Sequence, residues 1–152
     1  MKTYEKTGDV IAFLADFHRE LRKRYEKLKK ESDRERVHLL LEYLSRHERR
    51  WQEGLKRFSD MDSKKLQKTW LQYVPRDEKL NLRDFRLSKD MSVEQLVDMA
   101  LACDDQLIAF YEKMSKSAGA PDAIKELFRL MIEKEKGEKA KLVETAERIK
   151  HL

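Results

Sequence analysis

The stretch Ser92–Met114, SVEQLVDMALACDDQLIAFYEKM, decides how the rest of the chain is read. Val93, Val97, Ala100, Leu107, Tyr111 and Met114 recur at steps of three and four, which stacks them in one column, the buried seam of an amphipathic helix. One position of that column is not apolar: Asp104 sits near its middle. At the front, Ser92 and Gln95 have the spacing of a capping box, in which each side chain bonds the backbone N–H of the other residue. A helix is predicted over about 92–117.

Three further stretches repeat the pattern. Ile11, Leu14, His18, Leu21, Tyr25 and Leu28 form the seam of a helix over about 9–31. Val37, Leu41, Leu44, Glu48, Trp51, Leu55 and Phe58 form that of a second, about 33–59, which Ser32 and Glu35 open with the spacing of another capping box. Beyond the breaker Gly119-Ala120-Pro121, Ile124, Phe128, Met131, Glu135, Glu138, Leu142 and Ile149 mark a helix over about 121–150. The links between the first two helices and between the last two are tight, so each pair should form a hairpin. Residues 60–91 join the hairpins, with a short helix expected around Leu66 to Leu71 and an apolar cluster of Trp70, Tyr73 and Val74 ending at Pro75. Such a connection is long for a compact domain, yet it is long enough to run the length of a bundle. The expected fold is all-α: one domain, 1–152, built as an antiparallel four-helix bundle with a long crossover between helices 2 and 3.

Composition agrees. In 152 residues there are 4 Gly and 2 Pro, too few to punctuate an all-β fold. The 41% of charged residues would suggest disorder if apolar residues were scarce, but 40% are hydrophobic and they recur with a period. No run approaches the ~18 apolar residues of a membrane span, and Met1 to Val10 lacks the apolar stretch of a signal peptide, so no membrane association and a cytoplasmic location are expected. The single cysteine, Cys103, excludes an internal disulfide and a CxxC metal knuckle, and reads as a buried thiol. The +5 charge peaks at Arg22-Lys23-Arg24-Tyr25-Glu26-Lys27-Leu28-Lys29-Lys30. Glutamate interrupts that run and it has helical spacing, so it reads as a solvated face and not as a nucleic-acid stripe.

The ionisable seam residues fall at one height. His18 and Glu48 have their midpoint at residue 33, inside the first turn, and Asp104 and Glu135 have theirs inside the second. At ~1.5 Å per residue each lies roughly 22 Å from its turn, about halfway along its helix. The halves also echo each other, because Tyr25-Glu26-Lys27-Leu28 follows His18 by the same seven residues as Tyr111-Glu112-Lys113-Met114 follows Asp104. This is the pattern of a duplicated helical hairpin.

Four carboxyl groups and an imidazole cannot lie unpaired in an apolar core, since an isolated buried charge costs several kcal/mol or is neutralised by a shift in pKa. Either a cation sits among His18, Glu48, Asp104, Glu135 and Glu138, or they share protons and hydrogen bonds. Ligands of this kind suit iron or manganese, with zinc at a smaller tetrahedral site. His38 and His47 flank the second seam and read as rim residues, with His47 a replacement ligand beside Glu48. Tyr25, Tyr111 and Trp51 read as packing groups. Trp70 and Tyr73 read as packing the crossover onto the bundle, or else as a homodimer contact.

At these residues the chain resembles the rubrerythrin-like branch of the ferritin-like superfamily. The likeness is best in Ala100-Leu101-Ala102-Cys103-Asp104, Phe110-Tyr111-Glu112-Lys113-Met114, Lys125-Glu126-Leu127-Phe128 and Glu135-Lys136-Gly137-Glu138, and extends over most of the chain. That family places one Glu on helices 1 and 3 and Glu-x-x-His on helices 2 and 4, around a di-iron centre that handles oxygen or peroxide. Carried over by position, the single carboxylates fall on His18 and Asp104, and the paired motifs on Glu48-Arg49-Arg50-Trp51 and Glu135-Lys136-Gly137-Glu138. Both motif histidines are replaced, and Trp51 puts an indole where a ligand belongs. No rubredoxin-like cysteine module is present, so a redox role implies a separate electron donor. Two functions follow: a protein holding one or two iron or manganese ions for oxygen or peroxide chemistry, or a metal-free scaffold that binds a protein partner.

Overall fold

The steps of three and four become helices. A computed structural model describes residues 5–60, 70–71, 80, 82–117 and 120–152, and its α-helices are α1 (Thr7–Glu31), α2 (Glu35–Asp60), α3 (Val93–Ser115) and α4 (Asp122–Lys150). The four seams are the core: Ile11, Leu14, Leu21, Tyr25, Leu41, Leu44, Leu107, Tyr111, Met114, Ile124 and Phe128 are almost entirely buried. Each such apolar side chain contributes about 1.5–3 kcal/mol relative to exposure. α1 packs along α2 and α3 along α4. The pairs meet through α2 and through Phe13 and Phe110, whose ring centroids are 6.2 Å apart. No helix among the described residues is long and apolar enough to cross a membrane.

The helix ends show which local signals acted. At α3, Gln95 N–H donates to Ser92 Oγ at 3.1 Å and Ser92 N–H to Gln95 Oε1 at 2.9 Å, the expected box. Ser32 and Glu35 form no such box. Ser32 closes α1, its N–H donating to Leu28 O, while its hydroxyl accepts from Arg34 N at 3.4 Å. The reason is a displaced start: α2 begins at Glu35, so that residue is the first of the helix instead of the third. Pro121 precedes α4, its carbonyl accepting from Ile124 and Lys125.

The connection between α2 and α3 differs from the expected short helix at its end. Trp70–Leu71 is a strand, paired antiparallel with Glu5–Lys6 in the register Glu5 to Leu71 and Lys6 to Trp70. The pairing satisfies backbone groups of the segment leading into α1 and ties the connection to it. Leu66 to Thr69, Tyr73, Val74 and Pro75 lie outside the described residues. A 3₁₀ turn at Leu82–Asp84 follows, and Arg24 of α1 donates to Leu82 O at 2.7 Å.

Candidate metal centre

Each helix delivers its ionisable seam residue to the buried middle, but the five expected residues do not form one undivided ring. His18 on α1 is fully buried, and its Nδ1 donates to Glu48 Oε2 on α2 at 2.9 Å. One turn past Glu48, Trp51 stacks on the His18 ring with centroids 5.2 Å apart and planes 8° from parallel. Tyr111 of α3 stacks on Trp51 in turn, at 6.1 Å. The indole therefore occupies a position beside the centre and is walled in by two rings.

A second group forms from α2, α3 and α4. His47, Asp104 and Glu135 are all buried, and each offers a ligand atom within 4.8 Å of the others. Glu138, one helical turn beyond Glu135, accepts from His47 Nδ1 at 3.2 Å with its side chain 12% exposed. That bond orients the imidazole and leaves Nε2 as its available nitrogen, the usual way a carboxylate supports a ligating histidine. A cavity of about 10 Å³ borders His47, Glu48, Asp104, Glu138 and Tyr25, close to the room one water or ion needs.

Burial and like charge govern the protonation here. Burial raises the Asp104 carboxyl, with the nearby Glu48 charge adding to the rise against the opposing pull of Glu135, His47 and Lys139. Burial likewise raises Glu135, and the charge of Asp104 adds to it. No donor among the described residues reaches either Glu135 oxygen, and with both carboxyls raised by burial the pair retains a proton. His47 would be lowered by burial alone, but the Glu138 bond and the charges of Glu48 and Asp104 outweigh this and raise it. The bond from His47 holds Glu138 down despite partial burial. Burial, then the surrounding carboxylates, push the Cys103 thiol well up, so it stays protonated and is a poor ligand. His18 Nε2, Trp51 Nε1 and Tyr111 Oη are also buried without a hydrogen-bond partner among the described residues.

No family model matches this chain, and neither the curated proteins nor the solved structures yield a match.

Of the expected residues, Asp104 and Glu135 come together, Glu48 is engaged by His18, and Glu138 supports His47. The rim position expected for His47 is overturned, since it is only 6% exposed. A signal for this existed. Leu40, Leu44, His47 and Trp51 step by four, three and four, a buried column beside the one through Leu41 and Glu48. His38, by contrast, borders an exterior groove with Lys29, Glu42 and Arg46.

Proposed function

We propose that the chain is a ferritin-like antiparallel bundle with a crossover between α2 and α3, and that it binds one iron or manganese ion in its core. The contact of Lys29 with Glu42 near the first turn, and of His18 with Glu48 farther from it, supports the antiparallel pairing of α1 and α2. The observation that carries the metal reading is the buried convergence of His47, Asp104 and Glu135 from three helices. One imidazole with carboxylates suits a divalent ion of intermediate hardness, and the Glu135 oxygens that find no donor are the groups a cation would satisfy. His47, Asp104 and Glu135 hold the ion, with Glu48 within the same charged cluster. A bound iron or manganese would supply redox chemistry with oxygen or peroxide. The protein's own part is to surrender the proton of the Asp104 and Glu135 pair on binding, to hold His47 by its Nδ1, and to keep the centre dry behind Tyr25, Tyr111 and Phe128.

A metal-free scaffold is the second reading, favoured by the pairs that the cluster already contains: His18 with Glu48, His47 with Glu138, and a proton between Asp104 and Glu135. Elemental analysis of protein reconstituted anaerobically with ferrous iron, and separately with manganese, decides between them. The metal reading expects near-stoichiometric metal that is lost in both His47→Ala and Glu135→Gln. Absence of metal from folded wild-type protein under both conditions sinks it.

A further inference from the structure

Trp51 separates the charged centre from a feature that the metal reading does not use. On its outer side lies a cavity of about 190 Å³ between α1, α2 and α4, walled by Ile11, Leu55, Leu127 and Met131. Leu130, 60% exposed, stands at its rim. An apolar cavity of ~150 Å³ is known to hold one benzene ring, so this one has room for a ring-sized apolar body and little more. That scale suits a small molecule and is far below the area a protein partner would need.

Among the described residues that line the cavity, the charged one is Lys134. Lys134 Nζ lies 4.8 Å from the centroid of the Trp51 ring, and no carboxylate among the described residues pairs with it. An apolar recess whose lip carries an ammonium that no described carboxylate neutralises selects a ligand with an apolar body and one negative head. A cationic head would be repelled, and a neutral one would forgo a charge-assisted hydrogen bond.

A glycine is among the residues at the cavity's border. A Cβ built on Gly54 would meet only the Arg57 guanidinium, at 3.9 Å, so a side chain there has open space before it, and Gly54 borders the cavity. Gly in a helix interior costs roughly 1 kcal/mol relative to Ala.

We propose that this cavity binds a small amphipathic monocarboxylate, its ring or short acyl chain against Trp51, Leu127 and Met131 and its carboxylate on Lys134. Binding is independent of whether a metal is present, so the proposal stands apart from the metal reading.

Isothermal titration of the chelator-treated protein with phenylacetate, hexanoate and the neutral analogue benzyl alcohol tests it. Three proteins are compared: the wild type, Lys134→Met, which keeps the stem without the charge, and Gly54→Leu, which fills the recess while favouring the helix. Millimolar or tighter binding of either carboxylate is expected, weakened about tenfold in Lys134→Met as one charge-assisted hydrogen bond is lost. Benzyl alcohol should bind the wild type and Lys134→Met alike, and Gly54→Leu should bind none of the three. Circular dichroism confirms that each variant is folded. No heat with either acid, equal carboxylate affinity in Lys134→Met, or undiminished binding in folded Gly54→Leu would each overturn the proposal.

Discussion

Raising the pH from 5.5 to 8 should destabilise the metal-free protein and tighten metal binding, and the two effects have opposite signs for one reason. In the unfolded chain Asp104 and Glu135 titrate near their ordinary values, 3.8 and 4.5. In the folded chain burial raises both, with the charge of Glu48 adding to the rise at Asp104 and that of Asp104 to the rise at Glu135, so the native pair still holds a proton where the unfolded chain has released it. Stability gained from such a raised group is fully present below the ordinary carboxylate value and is lost as pH rises towards the native one. His47 acts in the same direction, since its raised value keeps it charged above 6.5. Glu138 is held down and stays ionised throughout the interval, so it contributes no slope. One proton held only by the native state gives a slope of about 1.4 kcal/mol per pH unit, hence about 3 kcal/mol across the interval. Urea unfolding of chelator-treated protein at the two pH values measures it. A metal must displace those same protons, so apparent affinity for ferrous iron or manganese should rise over the interval. The Glu135→Gln variant, which cannot ionise, should flatten the stability slope by about one proton. A metal-free wild type whose stability is level or increases from pH 5.5 to 8 would refute the shared proton.

Two substitutions away from the proton pair test the packing. Gly137 is a helical glycine beside Glu138 with nothing within 4 Å of a built Cβ, so Gly137→Ala should stabilise the protein by about 1 kcal/mol in urea unfolding without changing bound metal. His18→Ala leaves Glu48 buried without its donor and strips one face of Trp51, and should cost about 3–5 kcal/mol in the same assay. If the cost comes from the stranded charge and not from lost volume, replacing His18 and Glu48 together by leucine should recover most of it.

The helices were legible because burial selects residues at a period the sequence displays. Seam residues of all four columns are buried where their side chains are described, down to Tyr25 and Tyr111, except for Val93 and Glu138, which are half-buried, and the Ser92 box forms because Gln95 is the third residue of its helix. Ser32 and Glu35 show the weakness of a motif read alone. The same spacing fails when the helix starts two residues later, and the hydroxyl then serves the turn through Arg34. The strand at Trp70–Leu71 was illegible for a different reason: its partner, Glu5–Lys6, is remote in sequence, and two residues carry no alternation.

The site was legible in height but not in azimuth. Midpoint arithmetic fixes how far a residue lies from its turn, and the 2.9 Å bond between His18 and Glu48 agrees with it. A seam, however, is one line drawn on a helix whose buried face is wider than a line. On α2 the Leu41 and Glu48 column and the Leu40, Leu44 and His47 column are both buried, and the sequence alone does not say which points at α3 and α4. Reading a single column assigned His47 to the rim. In the fold His47 meets Asp104 and Glu135, and Glu48, which borders the same small cavity, also accepts from His18. Trp51 belongs to both columns, and this explains its position: stacked on His18 on the inside, bordering the apolar cavity and Lys134 on the outside. An indole is large enough to serve both. The stack on His18 and the wall of the outer cavity are therefore two consequences of one side chain.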